Sequence, residues 1–214
     1  MSTAESTAWP ETILDRSTEA ALRVLDSGEV VPLPVRRWHG PVLAEEVTIL
    51  ERAQSPVLDV GCGPGRLAAA LRSLGHYALG IDSSVAAVRA ARRRGAAAVN
   101  ISVFGPVPSP GSWATALLLD GNIGIGGDPI RLLTRLHQLL RAGGQVFVEV
   151  DPPGVESRRF HARVQHAGGS GDRFPWACVG AAAVASVAAR SGFTTEDVWS
   201  DQNRWFAQLR RIED

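Results

Sequence analysis

Apolar positions recur with two different periods along the middle of the chain, and the two periods alternate. Helical spacing covers residues 66–74, 85–95 and 129–140, with glycine, serine or proline near the boundaries. Short apolar runs of the length typical of buried strands fall at residues 57–60, 77–81, 97–101, 116–119 and 146–150. Strands that alternate with helices in this way predict an α/β fold around a mainly parallel sheet.

The pattern changes on either side of this region. Apolar spacing from Leu14 to Leu25 predicts an amphipathic helix over residues 11–26, within an N-terminal helical cap or extension over residues 1–40. Alternating apolar and polar residues predict a β-hairpin at about 155–179, inserted into a domain of residues 41–214. The hairpin is either a lid over a substrate or a ribbon that forms a dimer.

Composition excludes several classes of partner. The 214 residues carry 22 basic and 22 acidic side chains, so no net charge attracts the chain to nucleic acid or to an anionic membrane. Two cysteines form neither a disulfide framework nor a metal site, which favours a cytoplasmic protein without a metal. We find no signal peptide and no apolar run of membrane-spanning length, and we expect a monomer or a homodimer.

The most informative stretch joins the first strand of the alternating region to its helix through three glycines. Gly61, Gly63 and Gly65 let a ligand approach the backbone where the helix begins, and Asp59 interrupts the apolar strand before them. A dinucleotide motif places its third glycine one residue later, where this chain has Arg66. This spacing disfavours a nucleotide-cofactor oxidoreductase, which we keep as an alternative.

A second carboxylate follows the next strand. Asp82 lies seventeen residues after Gly65, where an aspartate is placed to accept hydrogen bonds from both ribose hydroxyls of an adenosine. The alternative is a helix cap, because Ser83 and Ser84 follow directly.

The stretch Asp-Val-Gly-Cys-Gly-Pro-Gly resembles the first motif of the class I S-adenosylmethionine (SAM) methyltransferases. The resemblance implies a three-layer Rossmann-like fold, with a seven-stranded, mostly parallel sheet and an antiparallel last strand. It implies SAM as cofactor, S-adenosylhomocysteine (SAH) as product, and Ser102 where an acidic adenine ligand is usual. The cofactor contacts that it implies are Asp59, Gly61, Cys62, Gly63, Gly65, Asp82, Ser83, Ser102, Val103 and Asp120.

Further candidates concern the methyl acceptor, for which we expect a small molecule with a nucleophilic O, N or C atom. Asp120 and His161 are candidates for a general base, and Arg37 is a candidate for the methionine carboxylate. Arg159, Arg163 and His161 are available to an acidic or phenolic acceptor. The candidates for the substrate pocket are Trp38, Asn122, Asp151, Arg163 and Trp176. No catalytic residue is diagnostic, so a SAM-binding module without activity stays open.

Overall fold

The structure is a computed structural model that describes residues 19–213. Its strands and helices form two sheets with helices packed on the larger one. In chain order they are β1 (Ala20–Val24), β2 (Val30–Pro32), α1 (Val35–His39), α2 (Ala44–Arg52), β3 (Val57–Val60), α3 (Arg66–Ser73), β4 (Ala78–Asp82), α4 (Val85–Arg93), β5 (Ala98–Asn100), β6 (Trp113–Leu118), a 3-10 helix (Asn122–Gly127), α5 (Pro129–Leu139), β7 (Leu140–Val150), β8 (Arg158–His166), β9 (Gly169–Ser170), β10 (Phe174–Cys178), α6 (Val184–Ala189), β11 (Phe193–Asp201) and β12 (Arg204–Arg211).

The larger sheet has seven strands in the order β11-β12-β7-β6-β3-β4-β5. The strands from β7 to β5 run parallel, whereas β12 pairs antiparallel with β7 and β11 antiparallel with β12. All four residues of β3 are buried, as expected for a strand covered on both faces. The prediction of an α/β fold with a seven-stranded, mostly parallel sheet is confirmed.

Helices cover both faces of this sheet and create its two main cores. Leucines of α5 pack against β3, β6 and β7 in one buried cluster, and α2 and α3 contribute to the other with Phe147 and Phe206. Helical spacing predicted this face at Leu133, Leu136 and Leu140, and all three are completely buried, although Leu140 already begins β7. No helix in residues 19–213 is long and apolar enough to cross a membrane.

A second, antiparallel sheet of order β10-β8-β1-β2, with β9 paired to β8, combines the start of the chain with residues 158–178. We call it the cover sheet. Here the predicted helix over residues 11–26 is wrong for Ala20–Val24, which form β1; residues 11–18 lie outside the described part. These residues form a strand because Ala20, Leu22 and Val24 bury one face of it and because β8 supplies hydrogen-bond partners for its backbone.

The predicted hairpin around residues 155–179 contributes β8 and β10, which pair antiparallel. Both edges of β8 are occupied, by β10 on one side and β1 on the other, so β8 offers no free edge to a second copy. The cover sheet rests on the 3-10 helix: a Cβ at Gly124 would lie 2.4 Å from the carbonyl oxygen of Ala177, and one at Gly127 would lie 2.7 Å from Pro175. Glycines at these positions allow the close approach.

Candidate active site

A cavity of about 760 Å³ lies between the carboxyl ends of the parallel strands and the cover sheet. This is the edge at which open α/β sheets bind ligands, and the volume is typical of a small-molecule site. The cavity brings together most of the residues predicted from the sequence. These are Trp38, Asp59, Gly61, Cys62, Gly63, Asp82, Ser83, Ser102, Val103, Asp120, Asn122, Asp151 and Trp176.

The three glycines after β3 have left-handed backbones, with φ of 70° at Gly61, 53° at Gly63 and 76° at Gly65. A Cβ at Gly63 would meet no atom within 4 Å, so its Cα faces open space. A Cβ at Gly61 would lie 2.8 Å from the side-chain nitrogen of Asn122. That nitrogen donates hydrogen bonds to the carbonyls of Val60 (2.8 Å) and Gly61 (3.1 Å). Asn122, predicted for the substrate pocket, therefore also holds the glycine loop.

Gly65 and Cys62 have packing roles in this loop. Gly65 does not line the cavity, and a Cβ there would lie 2.6 Å from that of Ala91, so the glycine permits close packing of α3 against α4. The cofactor contact expected of Gly65 is therefore not supported. Cys62 packs its sulfur against Gly80, where an added Cβ would lie 2.6 Å away, and burial raises the pKa of its thiol.

Asp82 ends β4 and fastens the glycine loop. One carboxylate oxygen accepts a hydrogen bond from the backbone N–H of Gly63 (2.9 Å), and the other accepts one from Ser84 (2.8 Å). Burial raises the pKa of Asp82, although both hydrogen bonds favour the charged form. A carboxylate oxygen has two lone pairs, so each oxygen retains capacity for a ligand hydroxyl.

Asp59 is buried beside the loop, with 3 % of its surface exposed. Its Oδ2 atom has no hydrogen-bond partner among the described residues, and burial raises the pKa of Asp59 to about 7 despite the nearby charge of Arg66. A buried carboxylate oxygen without a partner is costly in the free protein. Such an atom, next to open backbone at Gly63, fits a ligand that carries an ammonium group.

A second group of charges lies beside the cavity and was not predicted. We call it the ion-pair cluster; its members are Arg37, Glu45, Glu46, Arg66, Asp120, Glu149 and Arg204. Glu46 is completely buried and accepts hydrogen bonds from Arg66 (2.8 Å) and Arg204 (2.7 Å). Burial opposes the charge of Glu46, but hydrogen bonds and attraction from Arg66 outweigh it and lower the pKa.

Asp120 belongs to this cluster, which argues against its predicted role as a general base. Its oxygens contact guanidinium nitrogens of Arg37 (2.8 Å), Arg66 (2.8 Å) and Arg204 (3.3 Å). Both carboxylate oxygens are therefore already engaged by guanidinium groups and are not directed at an acceptor. The backbone of Asp120 has a left-handed φ of 57°, a conformation that the three contacts hold in place. Arg37, expected near the methionine carboxylate, is one of these partners.

The sequence contained only a partial signal for the ion-pair cluster. Arg66 stands at an unusual position for a nucleotide loop, whereas Glu45 and Glu46 have the appearance of ordinary charges on a helix surface. Arg204 begins β12, 158 residues after Glu46. Only the pairing of β12 with β7 brings them together, which local spacing does not reveal.

The structure does not bring His161 or Arg163 into the cavity. Residues alternate between the two faces of β8, and Phe160 faces the cavity, so His161 and the exposed Arg163 lie on the other face. Arg159 forms an exposed ion pair with Asp128 at 2.7 Å. The structure therefore does not support His161 as a general base or Arg163 as a pocket residue. Arg159 and Arg163, expected to bind an acidic acceptor, lie outside the cavity.

The far end of the cavity is formed by the loop after β5. Ser102 and Val103 line it, and the Ser102 hydroxyl accepts a hydrogen bond from the N–H of Phe104 (3.3 Å). Arg135 of α5 donates to the carbonyls of Val103 (3.1 Å) and Gly105 (2.8 Å). Arg135 thus holds this loop in place, which suits a surface that binds a flat ring such as adenine.

Comparisons with known proteins agree with this architecture. Residues 57–144 match the family described as a methyltransferase domain. A SAM-dependent methyltransferase from Bacteroides fragilis, solved with S-adenosyl-L-homocysteine, is similar over 95% of this chain and 92% of its own, with a TM-score of 0.76 and 22% identity. No curated protein matches the chain with significance.

Two further similar structures have named activities. The sugar N-methyltransferase KedS8 from Streptoalloteichus sp ATCC 53650 covers 83% of this chain and 91% of its own, with 21% identity and a TM-score of 0.62. The 1,6-didemethyltoxoflavin-N1-methyltransferase of Burkholderia thailandensis was solved with 1,6-didemethyltoxoflavin and S-adenosylhomocysteine. It is similar over 79% of this chain and 76% of its own, with 20% identity and a TM-score of 0.57. At these identities the likeness concerns the fold.

Proposed function

We infer that this chain, a class I SAM-dependent methyltransferase by its domain and fold, transfers the methyl group of its cofactor to a small-molecule acceptor. The observation that carries this proposal is one cavity with two different halves. One half presents the glycine loop, Asp59 and Asp82; the other is lined by apolar side chains of the cover sheet, including Leu22, Phe160 and Trp176. Such a cavity suits a nucleoside beside an apolar acceptor.

The residues of the first half fit SAM. Asp59 would hold the ammonium group, Asp82 would accept the ribose hydroxyls, and Ser102 and Val103 would hold the adenine. Asp82 has free lone pairs and Asp59 an unpartnered oxygen, which supports these assignments. When bound, SAM supplies an electrophilic methyl group on a sulfonium. The protein's own contribution is then to orient the acceptor and to exclude water, which together lower the barrier strongly.

The acceptor half supports a small molecule over a macromolecule. The cover sheet closes this part of the cavity, and residues such as Phe174 and Leu22 that line it are buried. A sugar and a toxoflavin precursor are the substrates named for two proteins of this fold. We propose no nucleic-acid or membrane partner, a cytoplasmic location and a monomer or homodimer. The division into a 1–40 extension and a 41–214 domain stays a prediction.

The first experiment separates this proposal from a nucleotide-cofactor oxidoreductase. SAH at a hundredfold excess over its Kd should stabilise the protein by about 2.7 kcal/mol, a rise in Tm of several degrees, whereas NAD should leave Tm unchanged. Stabilisation by NAD and not by SAH would reject the proposal. Methyl transfer from SAM to any member of a panel of amines, phenols and carboxylic acids then separates an enzyme from a module that only binds SAM.

A further inference from the structure

We propose that the methyl acceptor is an amine, and that Asp151 binds the acceptor nitrogen and takes up its proton. This inference rests on the proposed function and names the class of substrate for the same site. It comes from the charges that line the acceptor half of the cavity and from the partners that each of them already has.

Asp151 occupies a fixed position on the cavity wall directly after β7. Its backbone N–H donates to the carbonyl of Val179 (2.9 Å), and its own carbonyl accepts from the N–H of Ala181 (2.8 Å). These two bonds, together with a parallel bridge to Gly180, fix the main chain on both sides of the residue. Its side chain therefore starts from a rigid element, which precise positioning of a substrate requires.

Most other charges around the cavity are already paired. Asp120 and Glu149 contact arginines of the ion-pair cluster, and Arg158 pairs with Glu29 at the exposed rim. The carboxylate of Asp151 has no ion pair among the described residues, and its hydrogen-bond contact is the backbone N–H of Val179. Burial, followed by the charge of Glu149, raises the pKa of Asp151, and the Val179 hydrogen bond and the charge of Arg158 oppose this only in part. The wall of the acceptor half thus presents one partly buried carboxylate that forms no ion pair among the described residues.

Aromatic side chains complete a surface that suits a cation, and one of them already attracts one, because the guanidinium of Arg158 lies 5.2 Å from the centre of the Phe160 ring. Trp38, Phe160 and Trp176 are half-buried on the cavity wall, and Phe160 lies opposite Trp176 in the register of β8 and β10. Aromatic faces attract ammonium groups, most strongly where water is excluded. Two arginines of this region are paired, Arg37 with Asp120 and Arg158 with Glu29, and Arg173 is exposed at the cavity rim. A carboxylate acceptor therefore lacks a buried, unpaired arginine among the described residues.

Methyl transfer to an amine balances in atoms and charge with Asp151 as the proton acceptor. An ammonium acceptor gives one proton to the Asp151 carboxylate, and the free nitrogen lone pair then forms a bond to the methyl carbon. The carbon–sulfur bond breaks at the same time, and its electron pair stays on the sulfur of SAH. The product leaves as a methylated ammonium, and the proton on Asp151 passes to solvent. A carboxylate with a raised pKa is a better proton acceptor than an ordinary aspartate.

Binding to the SAH-saturated protein tests this inference without requiring turnover. The probes are 2-phenylethylamine, the neutral 2-phenylethanol and the anionic 3-phenylpropanoate, measured by calorimetry at pH 8. We expect the amine to bind at least tenfold more tightly than either analogue. In Asp151→Asn this preference should fall to threefold or less. In Asp172→Asn, which makes the same charge change at the exposed cavity rim, it should persist.

Three outcomes would overturn the inference. They are equal binding of the three probes, binding of none of them, and a preference for the amine that survives in Asp151→Asn. Lowering the pH should weaken amine binding in the unmodified protein, as Asp151 becomes protonated, and should have less effect in Asp151→Asn. Failure of SAH to bind at all would instead reject the proposed function, so the two failures are distinguishable.

Discussion

Two groups of carboxylates lie at the same edge of the main sheet, and they have opposite surroundings. In the ion-pair cluster, Glu46 and Asp120 each contact at least two arginines. In the cavity, Asp59, Asp82 and Asp151 have no ion pair with a cation among the described residues. Their pKa values are all raised by burial, whereas the pKa of Glu46 is lowered by its partners.

The presence or absence of arginine partners separates carboxylates that stabilise the fold from carboxylates that are available to a ligand. Arginine contacts hold Asp120 in its left-handed conformation and connect α2 and α3 to β12. Because they occupy the carboxylates of Glu46 and Asp120, these two groups are not available to a ligand. The cavity carboxylates make the free protein less stable, and a ligand that brings hydroxyl or ammonium groups relieves that cost. Residues of one chemical type thus serve the fold when paired and the ligand when unpaired.

The largest expected effect comes from breaking the cluster. Glu46→Ala leaves Arg66 and Arg204 buried without their shared carboxylate, and loss of one partner from a buried pair costs about 3–5 kcal/mol. Thermal and urea unfolding should show this loss, as a fall in Tm of about 10 °C. Glu196→Ala, which breaks the exposed pair with Arg210, is the control and should cost under about 1 kcal/mol. Similar losses in the two variants would contradict the buried role of Glu46.

A smaller effect, measured on binding, is expected at Asp82. Asp82→Ala should weaken SAH binding by tenfold or more, since a hydrogen bond to a charged group contributes about 1.5–3 kcal/mol. Calorimetric titration with SAH measures this, and Asp172→Ala at the cavity rim provides a control that should bind SAH as the unmodified protein does. An affinity of Asp82→Ala within twofold of the original would show that the ribose assignment is wrong.

A third effect, spread over several pH units, concerns protons at Asp59. Its pKa of about 7 in the folded protein exceeds the value of about 3.9 expected after unfolding, so the protonated form is favoured by folding. Stability of the free protein should therefore fall as the pH rises from about 4 to about 7, and then level off. A bound ammonium group favours the charged form, so SAH affinity should decrease by at most tenfold for each pH unit below about 7.

Calorimetry at pH 6 in buffers of different ionisation enthalpy counts the protons released when SAH binds. We expect a release of up to one proton in the unmodified protein and a smaller release in Asp59→Asn, where only groups such as Asp82 and Asp151 still titrate. Equal release in both proteins would show that Asp59 does not respond to the ligand.

Sequence reasoning reached the parts of the site that are set by local spacing. The glycine loop, Asp59 and Asp82 belong to two consecutive strand–turn–helix units, in which a few residues define both the conformation and the chemistry. The α/β fold with a mainly parallel sheet followed from the alternation of short apolar runs with helical ones, because that alternation allows few topologies. The number of seven strands came instead from the resemblance to the class I methyltransferases.

Reasoning from spacing failed where partners are distant in sequence. Leu22 and Leu25 fit a helical period, but Leu22 lies opposite Val164 in the cover sheet, a pairing that local periodicity does not show. The role of Arg66 depends on Glu46 and Asp120, which come from separate elements. His161 and Arg163 lie in a strand that was identified correctly, yet they occupy the face of β8 that points away from the cavity.

The cover sheet separates two parts of the proposed site. Strands β1, β2, β8 and β10 form one wall of the cavity, whereas the residues proposed to bind the nucleoside lie in β3 and in the loops after β3, β4 and β5. If the proposed function is correct, exchanging side chains on the inner surface of the cover sheet should change the preferred acceptor without weakening SAH binding. Acceptor choice and cofactor binding would thus depend on different stretches of one polypeptide.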